Sequence, residues 1–193
     1  MRKALILPLL AAVYGAGCVS TEAVTGPISV QAAVPKEVRL AAIRTMPMLP
    51  GSLKNVQGLQ DAPQLFTREM RDALAPRYPA WRIALIGAQE PAADADLVIV
   101  AELVEIDGGS AAMRFWIGFG AGAIVSKAKV SMLDSAGRTV AASEISQRTT
   151  CPTGACGDEN EVLVRQNLKA LAASAAEFIA NPAAYQKAKG SAG

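Results

Sequence analysis

Reactive side chains are sparse in this chain of 193 residues, which has three cysteines, no histidine and a near balance of 19 basic and 17 acidic groups. The missing histidine removes the commonest general base at neutral pH. Among the remaining pairs, Ser126 and Lys127 are adjacent in a strand-like stretch, so they point to opposite faces. Ser131 is a further serine of that stretch, Glu102 and Glu105 differ in parity along theirs, and Asp94 and Asp96 share a parity but sit in a turn-like segment. No nucleophile–base or acid–base pair assembles from these spacings. The expectation is a protein that is not an enzyme and holds no metal or cofactor.

The most unusual stretch is MRFWIGFGAG at 113–122. A dinucleotide-binding loop reads GxGxxG and opens a helix. Here Gly118, Gly120 and Gly122 put the third glycine one place early, and a strand pattern follows with Lys127 and Lys129 alternating. No helix N-terminus would face a phosphate, and the Gly-Lys-Ser/Thr of a Walker loop is absent. Phe115 to Val125 is free of charge, near the length of one membrane-spanning strand, but no partner strand with the required pattern accompanies it. The simpler expectation is structural: the three glycines bend the chain into a buried strand. Arg114, Phe115, Trp116 and Phe119 then remain as candidate partner-binding residues, because Arg, Trp and aromatic side chains dominate interface hot spots.

The N-terminus has the layout of a secretory signal: Arg2 and Lys3, an apolar run from Ala4 to Val13, then Gly15-Ala16-Gly17 before Cys18. The run is too short to span a membrane as a helix. The small residues followed by cysteine resemble the lipobox of bacterial lipoproteins, with Gly15 where that family usually has Leu. The resemblance implies cleavage before Cys18 and acylation of Cys18. Residues 1–17 are then a signal peptide, and removing Arg2 and Lys3 leaves 17 basic side chains against 17 acidic ones. A neutral mature chain lacks the basic surplus of nucleic-acid binders and of proteins held by anionic lipid. Val19, not Asp, follows the cysteine, which by the sorting pattern of proteobacterial lipoproteins implies the periplasmic face of the outer membrane.

With Cys18 assigned to lipid, Cys151 and Cys156 form an even pair, as an oxidising compartment favours. Pro152 and Gly154 between them are turn formers, so the expectation is a structural disulfide closing a small loop, worth about 2 kcal/mol. A metal or redox site is the competing reading, but the spacing is not CxxC and there is no histidine to complete a zinc site.

The elements that must carry these residues follow from periodicity. VTGPISVQ and KEVRLAAIRTMP read as strands, with Pro27 and Pro35 marking edges and turns. MLPGSLKNVQGL reads as a flexible stretch. Asp61 is placed to cap a helix with Pro63 in its first turn and Leu65, Phe66, Met70, Ala73 and Leu74 on its apolar face. WRIALIGA, LVIVAELVEID (97–107), AIVSKAKVSMLD (123–134) and RTVAASEISQRTT are strands, the last two joined by the turn DSAG. A long helix then starts near Gly157 and Asp158, buries Val164, Leu168, Leu171, Ala175 and Phe178, and stops at Asn181-Pro182. The expected fold is α+β: a mixed, largely antiparallel sheet with two main helices on one face. Residues 18–35 are assigned to the lipidated N-terminus and a tether, 36–182 to one periplasmic domain, and 183–193 to a frayed tail.

An arginine, then GFGAG, then a strand ending in Asp134-x-x-Gly137, resembles a family of uncharacterised bacterial lipoproteins known as domain of unknown function 4410, over residues 36–180. The resemblance implies a lipid-anchored α+β periplasmic domain without an established activity. The element order is also similar, more loosely, to periplasmic domains of curli-secretion and Tol-system proteins. The expected role is a non-enzymatic protein-binding or self-associating module of the cell envelope; the alternative is a carrier of an apolar or envelope-derived ligand in a pocket between sheet and helices.

Overall fold

The structure is a computed structural model that describes residues 20–31, 35, 37–110, 112–113, 122–150 and 160–183. Seven strands and two long helices follow in the order β1 (Ser20–Val30), β2 (Leu40–Thr45), β3 (Leu53–Lys54), α1 (Ala62–Leu74), β4 (Arg82–Ile86), β5 (Leu97–Asp107), β6 (Ile124–Asp134), β7 (Thr139–Thr150) and α2 (Asn160–Ala180). The strands form one mixed sheet in the order β1-β7-β6-β5-β2-β4, with β3 paired to the far end of β5. The long ladders, β1·β7, β7·β6 and β6·β5, are antiparallel; β2, β3 and β4 pair in parallel. This is the α+β architecture expected from the pattern, with both helices on one face of the sheet.

Alternation decides which face of each strand is covered. Ile124, Ala128, Val130 and Met132 of β6 are fully buried under the helices, while Lys127 and Lys129 face away. The interior strand β5 begins buried on both sides at Leu97, Val98 and Ile99. Phe66, Met70 and Leu74 of α1 meet Leu168, Leu171, Ala175 and Phe178 of α2 in the same core. Alanines 172, 175 and 176 are fully buried, and such small side chains let α2 lie close to its neighbours. Past the end of α1, Tyr78 stacks on Trp81 with ring centroids 3.9 Å apart and donates to the carbonyl of Ala180 at 3.3 Å, tying that end to α2. Burial raises the Tyr78 hydroxyl above its ordinary pKa, so it stays a donor.

The opposite face is only partly covered. Ala42, Ile86, Ala95 and Val98 make a small second cluster there, where the segment after β4 folds back over β2 and β5. Asp96 fastens this segment by accepting from the backbone amides of Arg39 and Leu40 at 2.8 and 2.9 Å. Those amide bonds hold its carboxyl below the usual carboxylate range, so Asp96 is a structural clamp.

Four local expectations change. The stretch 48–59 contains β3, a two-residue strand whose Leu53 and Lys54 pair with Ile106 and Asp107. It is too short to show a period. Asp61 occupies the N-cap position of α1 but makes no side-chain cap bond; its carboxylate lies 3.9 Å from both Arg68 and Arg165. Glu102 and Glu105 face the same side, because the β5 register shifts between Leu103 and Glu105 and resets the parity. Finally, β1 starts at Ser20, four residues before the strand expected from VTGPISVQ. Its Pro27 falls in the register shift between Thr25 and Ile28, which leaves room for a residue without an amide donor.

Candidate functional site

Three places in the described part of the fold gather polar groups. The first is the end of the sheet where β5 stops and β6 starts. There Glu105 accepts from Lys54 at 2.6 Å and from Lys127 at 2.8 Å, joining β3, β5 and β6 on the helix-free face. The two ammonium donors, Lys127 foremost, hold the Glu105 carboxyl below its ordinary range, and the Glu105 hydrogen bond raises Lys54. Next along β5, Asp107 accepts from Asn55 Nδ2 at 2.9 Å and from the Gly109 amide at 2.8 Å. Gly109 has a positive φ of 66°, and a β-carbon there would overlap the carbonyl of Gly122, itself at φ 71°. These two glycines therefore close the neck of the β5–β6 connection.

Each carboxylate with a displaced pKa (Asp96, Glu105, Asp134) is displaced toward its charged form by a donor that also holds the fold together. For Asp134 the first of those donors is the Arg138 backbone amide in the β6–β7 turn, at 2.9 Å. Ser126 is fully buried under the helices while Lys127 faces the other way, so the two do not meet. Among the described residues, no three Cys, Asp or Glu side chains converge in a way that would hold a metal ion.

The second place is an open groove of about 490 Å³ at the C-terminal ends of the parallel strands β2 and β4. Met46, Pro47, Leu85 and Ile86 give it an apolar floor, while Gln64, Thr67 and Arg68 of α1 line the helix side. Thr67 is held by a chain of hydroxyls: Thr45 Oγ1 lies 3.0 Å from Thr67 Oγ1, which donates to the Pro63 carbonyl at 3.1 Å. Arg68 stands at the rim with half its side chain exposed and only a long approach to Asp61. A pocket between sheet and helices is what the carrier alternative expects, but the sequence does not announce these lining residues. The one signal was Thr67, a hydroxyl on the buried side of an otherwise amphipathic helix.

A third feature is a buried polar cluster between α2 and the sheet. Asn167 donates to the Gln147 carbonyl at 3.2 Å and to Thr149 Oγ1 at 2.7 Å, while Ser126 Oγ and Asn167 Oδ1 have no partner. The remaining residues singled out from the sequence (Cys18, Arg114, Phe115, Trp116, Gly118, Phe119, Gly120, Cys151 and Cys156) lie outside the described residues. No described helix is long and apolar enough to cross a membrane.

An open mixed sheet with two helices on one face defines the class by fold. The model of the family described as Domain of unknown function (DUF4410) matches residues 41–151, and the chain belongs to that family. No curated protein matches the chain. Among solved structures it is similar to the PelC dodecamer from Paraburkholderia phytofirmans, at 12% identity and a TM-score of 0.40, covering 82% of this chain and 97% of that one. It is also similar to a protein of Xanthomonas campestris from a second family of this kind, DUF330, at 11% identity and a TM-score of 0.43, covering 84% and 96%. At these values neither likeness bears on function.

Proposed function

We propose that this chain is a lipid-anchored module of the bacterial envelope, held at the periplasmic face of the outer membrane through acylated Cys18, and that it binds a protein partner and catalyses nothing. The anchor rests on the signal-like N-terminus ending in Gly15-Ala16-Gly17-Cys18, and the outer-membrane address on Val19. Against catalysis stands the state of Asp96, Glu105 and Asp134. Each is kept ionised by its structural partners, the reverse of the raised pKa a general acid requires.

The observation that carries the binding reading is the groove at the end of β4. Among the described residues β4 is the last strand of the sheet, with no strand paired to its outer side, and such an edge is one that another strand can join. An extended segment of a partner laid along β4 would meet Leu85 and the Gln64–Arg68 side of α1, combining backbone pairing with side-chain pockets. Arg114, Phe115, Trp116 and Phe119 supply a second candidate contact. The carrier reading keeps one observation in its favour: about 490 Å³ is within the size range of small-ligand sites.

The two are separated by a photo-crosslinking residue placed at Gln64 or Arg68 in living cells, followed by mass spectrometry. The binding reading predicts a discrete protein adduct that is lost when Leu85 is replaced by Asp. A small molecule retained by the purified protein, with no protein adduct, would favour the carrier instead.

A further inference from the structure

The start of β1 has a geometric consequence. Ser20 is the register partner of Thr150, the last residue of β7, and only Val19 separates it from Cys18. Two residues reach about 7 Å at most. A lipid on Cys18 therefore cannot be far from the end of the sheet at which β7 stops. The antiparallel ladders bring β6 and β5 to the same end, through Ile124 opposite Thr149 and Asp107 opposite Val125, and β3 joins there through Lys54 opposite Asp107.

Exposed apolar side chains lie toward that end. Among the described residues four large hydrophobic side chains are exposed: Val30, Leu49, Met113 and Val162. Met113 and Val162 follow the β5 and β7 ends in sequence, and Leu49 lies a few residues back from this end, ahead of β3. Leu49 sits in the turn that leads into β3, where Ser52 accepts from the Ile106 amide. Met113 lies six residues past the end of β5. Val162 is in the first turn of α2, one and a half turns before Asn167, whose side chain reaches Gln147 and Thr149. Their relative exposures are 67%, 45% and 48%. An apolar rim around the point where an acyl chain emerges is the arrangement that a lipid interface covers.

We infer that the domain docks end-on against the bilayer, with Leu49, Met113 and Val162 entering the interface beside the acyl chains of Cys18. This inference rests on the lipid-anchor reading. Its occupant is the lipid surface, because the length of chain between Cys18 and the sheet leaves no room for the domain to stand away from it. With acidic and basic side chains equal after cleavage, no net charge draws the domain to anionic lipid. The β5–β6 connection springs from the same end between Met113 and Gly122.

The test uses the full acylated protein reconstituted on phosphatidylcholine vesicles, with the Cys18→Ser chain free in solution as reference. Amide hydrogen exchange is expected to slow roughly tenfold at 49–55, 107–113 and 160–163 on vesicles, and to stay unchanged at 82–96 and 135–140. The triple variant Leu49→Asp, Met113→Asp, Val162→Asp should still float with vesicles, keep its thermal midpoint and lose that slowing. Wild-type protein that floats but shows no slowing overturns the docking and leaves the anchor standing. Wild-type protein that does not float removes the anchor and the docking together. Slowing in native membranes but not on pure lipid vesicles assigns the end to a protein partner and overturns the lipid assignment.

Discussion

Ser20, the first residue of β1, pairs with Thr150, the last residue of β7. This one pairing ties the N-terminus to the end of the sheet where the β5–β6 connection leaves and where Cys151 follows. The groove opens toward the same end, since β2 and β4 run parallel to β5. It is set back, because Thr45 pairs with Ala101, six residues short of Asp107, or about 20 Å along the strand. Anchor and groove are thus distinct positions on one side of the molecule.

The neck of the β5–β6 connection depends on its glycines more than does the β6–β7 turn at the other end of β6. Gly109→Ala would place a methyl group against the Gly122 carbonyl at a positive φ, whereas Gly137 has a positive φ with open space around it. Gly137→Ala should cost about 1–2 kcal/mol from backbone strain alone, and Gly109→Ala distinctly more. Urea unfolding of both variants measures the difference; equal losses would contradict the close approach at Gly109.

Glu105 gives the fold a pH dependence with a defined sign. Its folded-state pKa is depressed by Lys127 and Lys54, so its contribution is fully present above the unfolded carboxyl pKa and is lost as pH falls through the lower, folded value. Asp96 and Asp134 act in the same direction. Stability should fall below about pH 4. Glu105→Gln should cost up to about 1 kcal/mol at pH 7, given the exposure of its partners, and the cost should shrink as the pH drops. A Glu105→Gln cost that does not change between pH 7 and pH 3 would contradict the ion-pair account.

Ser126 is buried with no hydrogen-bond partner for its hydroxyl. An unsatisfied buried hydroxyl is destabilising, so Ser126→Ala should leave stability unchanged or raise it by about 1 kcal/mol. A loss of more than about 1 kcal/mol on thermal unfolding would mean that a water molecule bridges Ser126 and Asn167.

Much of the fold was legible because its signals are periodic. β6 alternates Ile124, Ala128, Val130 and Met132 against its lysines, and α2 repeats Val164, Leu168, Leu171, Ala175 and Phe178. Each of these apolar residues is buried in the structure, joined by Ser126 of β6 and by Leu163, Asn167, Ala172, Ala176 and Ile179 of α2. What was illegible is non-local or aperiodic. β3 has two residues and exists because β5 offers it a partner. The β5 bulge that puts Glu102 and Glu105 on one face shows only in the register with β6. The groove is assembled from β2, α1 and β4, and no local run of sequence announces that meeting.

The central claim is the lipid anchor on Cys18, because both the envelope assignment and the end-on orientation follow from it. Intact-mass and N-terminal peptide analysis of the protein extracted from cell membranes tests it directly, with Cys18→Ser beside it. The account predicts a mature chain that begins at Cys18 and carries acyl mass, and a Cys18→Ser protein released from the membrane fraction. A mature chain that begins elsewhere without acyl mass, or a Cys18→Ser protein that stays membrane-bound, would contradict it.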